Sequence, residues 1–201
     1  MAYEQINLFG EPEQPKKPQQ PSPERLRYNQ GPAVEAYQRQ WGTATHDDVL
    51  LFQLLAVGMF QSGLTWWEAA GKRDVFRRNF CEMVPTEVAK MTSTDIEKAL
   101  VAPGMIPDRR KAYALVTNAQ ALYQVQSEFG SFATYLWGFV NNQPIINAYQ
   151  QDDDIPTTSP IAQKVARDLK QWDFKYVGPI VTTMFLRASG LIVDQVLPFS
   201  R

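Results

Sequence analysis

Four aromatic side chains carry the first chemical signal in the sequence. Tyr37, Trp41, Trp66 and Trp67 flank an almost continuously apolar run, 49–60, which ends in the turn Gln61-Ser62-Gly63-Leu64. Rings grouped around a turn can sandwich a planar ligand such as a nucleobase. They can equally be core packing, and on sequence both readings stay open. Bases gather in three places: Lys72, Arg73, Arg77 and Arg78; Arg109, Arg110 and Lys111; Lys164, Arg167 and Lys170. Such runs are usually solvated helix faces, but contacts to a phosphate backbone need only local patches of this size. The second patch has a suggestive setting. Helices expected over 94–101 and 108–128 flank a short Gly/Pro turn with the three bases just behind it. That is the outline of a helix-hairpin-helix, in which turn N–H groups and a helix N-terminus hold a phosphate without reading sequence. Only Gly104 fits the usual pair of glycines, and Pro107 has no N–H to offer.

Other chemistries are poorly supplied. The chain has one cysteine, Cys81, and one histidine, His46. An internal disulfide is therefore excluded, and a Cys/His zinc site is not expected. No phosphate-binding Gly-rich loop, nucleophile elbow, CxxC or HExxH is present. A Ser/His/Asp triad would have to use His46, which sits at an expected helix start. Asp152, Asp153 and Asp154 lack the flanking ligands of a cation loop and read as solvated. The net charge of −1 gives no overall hint of a polyanionic partner. No apolar run reaches the ~18–20 residues that would span a bilayer, and the first residues lack a secretory pattern, so a cytoplasmic protein is expected.

The elements that must position these residues read as helices. Val34, Tyr37 and Trp41 share one face of a helix over 33–41. Thr45 is expected to cap a buried helix over 49–60, with Asp47 and Asp48 in its first turn. Residues 65–80 read as one helix with a basic outer face, followed by short helices at 86–90 and 93–100. Asp108 caps a long helix to 129, and 131–140 is another. Residues 141–158 are polar and read as loop. Ser159-Pro160 opens a helix with Ile161, Val165, Leu169 and Trp172 on one face, and Gly178-Pro179 opens the last long helix. No stretch alternates strictly enough for a strand. The expected class is all-α, with about nine helices in one domain over 25–201.

Residues 1–24 are different. Five prolines crowd 11–23 with no other apolar residue, which predicts a disordered tail. Within it lies Gln5-Ile6-Asn7-Leu8-Phe9. The segment resembles the pentapeptide by which bacterial replication and repair proteins bind the sliding clamp. Ile6, Leu8 and Phe9 would fill apolar pockets and Gln5 would bond at the rim, with the linker raising the effective concentration of the domain.

From Leu51-Phe52-Gln53-Leu54 to Gln61-Ser62-Gly63-Leu64-Thr65-Trp66 the sequence resembles the bacterial DNA-3-methyladenine glycosylase I family. The likeness runs on through Lys72-Arg73, Phe76-Arg77, Phe80, Gly104-Met105-Ile106, Arg110-Lys111 and Asn118-Ala119. It continues in 137–141, Gln143-Pro144, Ile155-Pro156-Thr157, 174–178 and Gly190-Leu191. With Tyr37 and Trp41-Gly42 it spans 33–195 in order, covering the domain but not the tail. The resemblance implies an all-α helix-hairpin-helix DNA glycosylase that flips an alkylated base out of DNA and hydrolyses its N-glycosidic bond. It implies base stacking by Tyr37 and Trp66 with Trp41 nearby, and Gln61, Gly63 and Leu64 at the pocket mouth. Phosphates would be held by Gly104, Arg109, Arg110 and Lys111. A monomer working on the nucleoid is expected.

Two departures qualify what the resemblance implies. The family glutamate that bonds the base falls at Gly58, and Glu35 and Glu68 are the carboxylates nearby in sequence. The family's structural Cys/His zinc site falls near Arg25 or Leu26, Gln38, Gln195 and Phe199. None of these is a good zinc ligand, so no metal or other cofactor is expected, and the termini would be held by packing, through Phe199. Three readings follow: a repair glycosylase for alkylated purine, a catalytically impaired relative that still binds DNA or damaged bases and is recruited by the clamp, or a helical interaction module that keeps the fold alone.

Overall fold

The computed structural model describes residues 31–197. The proline-rich tail, the peptide 5–9, and Arg25, Leu26 and Phe199 lie outside the described residues. The described part is overwhelmingly helical, as expected. Pro32 sits in the first turn of α1 (Pro32–Gln40), where its missing N–H costs nothing. The next helix, α2 (Asp48–Gln61), is apolar all round: Leu51, Phe52 and every residue from 54 to 60 are buried. It forms the centre of the molecule, as a helix with no polar face must.

The capping of α2 differs from expectation. Asp47, not Thr45, is its N-cap, accepting from Leu50 N at 2.9 Å. The Thr45 hydroxyl accepts from Asp47 N instead. Asp48 serves a different helix. Its carboxylate accepts from Phe132 N and Ala133 N at 2.9 Å each, at the start of α8 (Phe132–Gly138), and from Gln126 Nε2 at 2.7 Å. Placed there it meets the positive end of α8 and ties it to α2.

The expected single helix over 65–80 is two. α3 (Trp66–Ala70) stops at Gly71, and α4 (Arg73–Asn79) starts two residues later. The reason is capping chemistry. Thr65 and Glu68 close a capping box that fixes the first turn of α3, and Gly71 ends it. Then follow α5 (Pro85–Val88), α6 (Ser93–Leu100, capped by Thr92 and Asp95) and the long α7 (Arg109–Phe129, capped by Asp108). α7 packs on α5, α6 and α8.

Residues 141–158 are not wholly loop. β1 (Ile145–Tyr149) pairs in parallel with β2 (Ile192–Val196), Ile145 opposite Ile192 and Tyr149 opposite Val196. The pattern hid this strand because its outward face carries Ile146, 62% exposed, so apolar and polar residues do not alternate. The crossover between the strands is α9 (Pro160–Gln171) and α10 (Pro179–Ala188), and α10 also packs on α2.

The start and end of the described chain meet in a clasp. Gly42 N donates to Ala188 O at 3.2 Å and Thr45 N to Ser189 O at 3.3 Å. Trp137 Nε1 donates to Thr45 O at 2.8 Å, and His46 stacks on the same indole at 4.5 Å. Gly190 has φ +76°, and a Cβ there would lie 2.4 Å from Ala44 N. The crossing is too close for any side chain. Beside it Arg187 and Asp194 form a buried ion pair, their side chains 12% and 8% exposed. Asn147 Nδ2 donates to the same carboxylate at 2.9 Å, and Arg187 Nη2 to Pro156 O at 2.8 Å.

Candidate functional site

Tyr37 and Trp41 come from consecutive turns of α1 and its cap, and Trp66 from the first turn of α3. They converge. The Tyr37 and Trp66 rings lie 6.2 Å apart at 25° to each other, and the Tyr37 and Trp41 rings 5.6 Å apart at 60°. With Gln38 and Met184 they line a cleft of about 310 Å³. Trp67 meets Trp66 edge-on at 5.6 Å and does not line this cleft. The three rings proposed from sequence as a base platform are therefore brought to one place.

Tyr37 is 2% exposed, and burial pushes its phenol well above the usual range. Beneath the ring lies Arg73, its guanidinium carbon 5.6 Å from the ring centre, with Nη2 bonded to Gln53 Oε1 at 3.2 Å. Burial also lowers the guanidinium's proton affinity. Arg73 Nε is buried without a hydrogen-bond partner among the described residues. A cation on the covered face of Tyr37 holds the ring in place through its quadrupole.

A second cleft of about 360 Å³ adjoins the first, with Met184 in the wall of both. Its lining includes Gly58 and the turn residues Gln61 and Ser62 on one side and 178–181, the start of α10, on the other. A Cβ at Gly58 would stand 3.5 Å from Val181 Cγ1, an ordinary contact. The position therefore admits a Cβ in ordinary contact with α10. No carboxylate lines either cleft among the described residues. Glu35 is exposed on α1 and pairs loosely with Arg39 at 4.0 Å. Glu68 holds its Oε2 on Thr65 N at 2.8 Å and on the Thr65 hydroxyl at 2.5 Å. Neither lines the clefts.

The turn beside the second cleft is built by Leu64 N donating to Gln61 O at 2.7 Å, with Gly63 at φ +88°. Leu64 is 38% exposed. Behind the turn stands Lys111. Sequence placed it among phosphate-holding residues, but the structure turns it inward: its side chain is 8% exposed. The ammonium donates to Phe60 O at 3.2 Å and to Ser62 O. Burial lowers its pKa, and Asp108, 3.9 Å away, partly offsets that. A charge satisfied by two carbonyls at the end of α2 is a tether for the turn.

The two neighbours of Lys111 remain on the surface. Arg110 is exposed. Arg109 is exposed too, but pairs with Glu97 of α6 at 2.9 Å and lies over the Tyr113 ring at 5.5 Å. Tyr113 donates its hydroxyl to the same Glu97 at 2.9 Å. Gly104, at φ +81°, makes the turn between α6 and α7 and packs against α4, its Cβ position 3.6 Å from Val75 Cγ2. The hairpin and the second cleft are thus joined through Lys111: one end of its side chain is in the first turn of α7, the other on the carbonyls of Phe60 and Ser62.

Of the positions where the resemblance implies zinc ligands, two are described. Gln38 lines the ring cleft, and Gln195 is exposed on β2 opposite Ala148. Neutral amides are poor partners for zinc, which takes thiolate, imidazole or carboxylate. These residues do not fit the metal.

Sequence reasoning did not bring Gln38, Arg73 or Met184 to the ring cleft. Gln38 is adjacent to Tyr37 in α1, and that adjacency was the available signal. Arg73 read as part of a basic outer face. Met184 is 118 residues from Trp66, in a helix whose apolar pattern gives no sign of a site.

The family model described as methyladenine glycosylase matches residues 28–198. The chain is 32% identical over 170 residues to DNA-3-methyladenine glycosylase 1 of Escherichia coli, covering 84% of this chain and 91% of that protein. A solved structure of a 3-methyladenine DNA glycosylase I variant in complex with 3-methyladenine superposes with a TM-score of 0.77 at 32% identity, over 81% of this chain and 88% of the other. That of the Staphylococcus aureus enzyme gives 0.77 at 33% identity, over 81% and 87%.

Proposed function

The chain belongs to the methyladenine glycosylase family, and on that premise we propose that it releases an alkylated purine of the 3-methyladenine type from DNA. The convergence of Tyr37, Trp41 and Trp66 on one cleft is the observation that carries this reading. A flipped base enters the ring cleft, where the aromatic faces and edges stack on it and favour the positive charge that alkylation places on it. Water adds to C1′ of the sugar, and the N-glycosidic bond breaks. Its electron pair passes to the purine, which leaves neutral, and the water gives up its proton to solvent. Alkylation has already weakened that bond, so stacking and orientation supply much of what the step needs. The turn 61–64, held by Lys111, stands at the pocket mouth and supports the duplex from which the base has gone. The Gly104 turn and Arg110 meet the backbone in the manner of a helix-hairpin-helix, without reading sequence.

A second reading has its own observation. With glycine at 58 and no carboxylate among the described residues lining either cleft, those residues offer no charge-assisted contact to a cationic base. It would then bind damaged DNA and turn over poorly. Base release from methylated DNA by the full chain separates the two. Slow release that Trp66→Ala abolishes and Gly58→Glu raises about ten- to hundredfold supports the glycosylase. Binding of methylated DNA without release by either form supports the impaired relative. Efficient release untouched by Trp66→Ala places the site elsewhere.

Residues 5–9 complete the proposal as a clamp-docking peptide on a domain of 25–201. The protein is a cytoplasmic monomer brought to the nucleoid by DNA and by the clamp. Leu8→Ala with Phe9→Ala abolishes clamp pull-down and leaves the melting temperature unchanged. Equal pull-down by both forms would reduce the peptide to coincidence.

A further inference from the structure

Of the large hydrophobic side chains exposed among the described residues, three fall in the two segments beside the second cleft: Leu64 at 38%, Tyr176 at 39% and Ile180 at 61%. Gln61 and Ser62 form one wall of that cleft, and Leu64 follows them in the same turn. Ile180 lines the opposite wall itself, in the first turn of α10. A single exposed apolar residue needs no explanation, but several around one concavity do. Ile180 also stands on a fixed support. Asn118 of α7, 1% exposed, accepts from Lys175 N at 2.6 Å and donates to Lys175 O at 3.1 Å, which pins the segment leading into α10. Within that segment Tyr176 is held at φ +56°, a costly conformation for a bulky residue. The Thr182 hydroxyl closes the first turn on Val177 O at 3.2 Å. Gly178 gives α10 no side-chain cap, so the helix presents an uncapped positive end at this rim, and no carboxylate lines the cleft among the described residues. The charge there suits a polyanion.

We propose that the first turn of α10 is a second DNA-facing element, and that Ile180 packs on the base-pair face left unstacked when the target base leaves the duplex. This rests on the reading that the turn 61–64 supports that duplex, and it adds the opposite wall of the cleft to the contact. Flipping one base out exposes apolar faces of the neighbouring pairs to water. Apolar wedges cover such faces without reading sequence, because they offer no hydrogen-bonding group to a base edge. Leu64 reaches the gap from one wall. Ile180, β-branched and therefore stiff at χ1, reaches it from the other. A side chain that water surrounds in the free protein is then buried only where a base is missing, which favours the flipped state over the intact duplex.

The test uses the full chain with a duplex oligonucleotide carrying a tetrahydrofuran abasic analogue, in which the gap is already open, and with the same duplex intact. Binding is read by fluorescence anisotropy. Ile180→Ser is expected to weaken binding to the abasic duplex about tenfold, as loss of one buried branched side chain requires, and to change binding to the intact duplex less than about twofold. Ile180→Leu returns the apolar surface and should restore most of the affinity. The melting temperature should not move, because the side chain is 61% exposed. Leu64→Ser is the companion variant on the opposite wall. Abasic binding unchanged by Ile180→Ser but weakened by Leu64→Ser overturns the proposal and leaves the turn 61–64 on the duplex. Abasic binding unchanged by both overturns the proposal and that reading together. Equal weakening on the two duplexes also overturns it, because the side chain then meets ordinary duplex and not the gap. So does a loss that follows a fall in melting temperature and is not restored by Ile180→Leu.

Discussion

The clasp between the ends of the described chain and the cleft floor at Gly58 are the two places where this chain departs from what its family resemblance implies. They have fared differently. At the clasp, the described segments are held without residues fit for zinc: by two backbone hydrogen bonds to Ala188 and Ser189, the Gly190–Ala44 crossing, the β1–β2 ribbon and the Arg187–Asp194 pair. At Gly58 no carboxylate among the described residues lines the clefts. Glu35 pairs with Arg39 on the surface and Glu68 is engaged at Thr65. The difference follows from what each job requires. Holding two segments together needs only a favourable free energy across a gap, which many sets of atoms can provide. Recognising a charged base needs an oxygen at one point in space, and a neighbour a few ångströms away is no substitute.

The comparison predicts stability effects at the clasp and functional effects at the cleft. Arg187→Ala should be the most damaging, since it strands a buried carboxylate. A loss of about 3 kcal/mol is expected, roughly 10 °C in melting temperature, and calorimetry would show it. Arg187→Met with Asp194→Leu should recover most of it, because replacing both partners leaves no orphan charge. A double variant as unstable as the single one would mean that the pair is more than an ion pair.

Gly190→Ala is expected to cost about 2 kcal/mol or more. Its Cβ must displace backbone at Ala44, not a side chain that can swing away. Base release per folded molecule should be unchanged at low temperature. Reduced release there would couple the clasp to the cleft and blur the contrast.

Lys111→Met tests the bridge between hairpin and cleft. Leaving Phe60 O and Ser62 O without their donor should cost about 1–2 kcal/mol and weaken base binding as the turn loosens. The salt dependence of DNA binding should not change, because the ammonium faces inward. A shallower slope would return Lys111 to the phosphate contacts. Arg110→Ala should have the smallest effect on stability, near zero, and should lower the logarithmic salt slope by about one. An unchanged slope would remove the hairpin from the DNA-facing surface.

Much was legible in the residues themselves. The helical class, the buried character of α2, the cap at Asp108 and the proline-led starts of α9 and α10 follow from local patterns, and local patterns act within one or two turns of chain. Tyr37, Trp41 and Trp66 could be named as one platform because the family pattern holds them in order, although nothing in their spacing brings α1 against α3. The break at Gly71 was missed because basic residues continue on both sides of it. β1 was missed because a strand that pairs in parallel across two helices has no neighbour in sequence to announce it, and Ile146 faces outward.

The sequence by itself determined which side chains are available: three rings, a missing carboxylate at 58, bases at 109–111, and no set of zinc ligands. Only the tertiary structure decided which way each one faces. Lys111 and Arg110 are adjacent and both basic, yet a helix turns successive residues by about 100°, so one is spent on the carbonyls of α2 while the other meets solvent. Arg73 lies beneath Tyr37 for the same reason, and Met184 enters the cleft only because α10 packs on α2. Residue type is fixed by the chain, but burial and direction depend on segments far apart in sequence, and a charge becomes a contact, a tether or a support only when those segments meet.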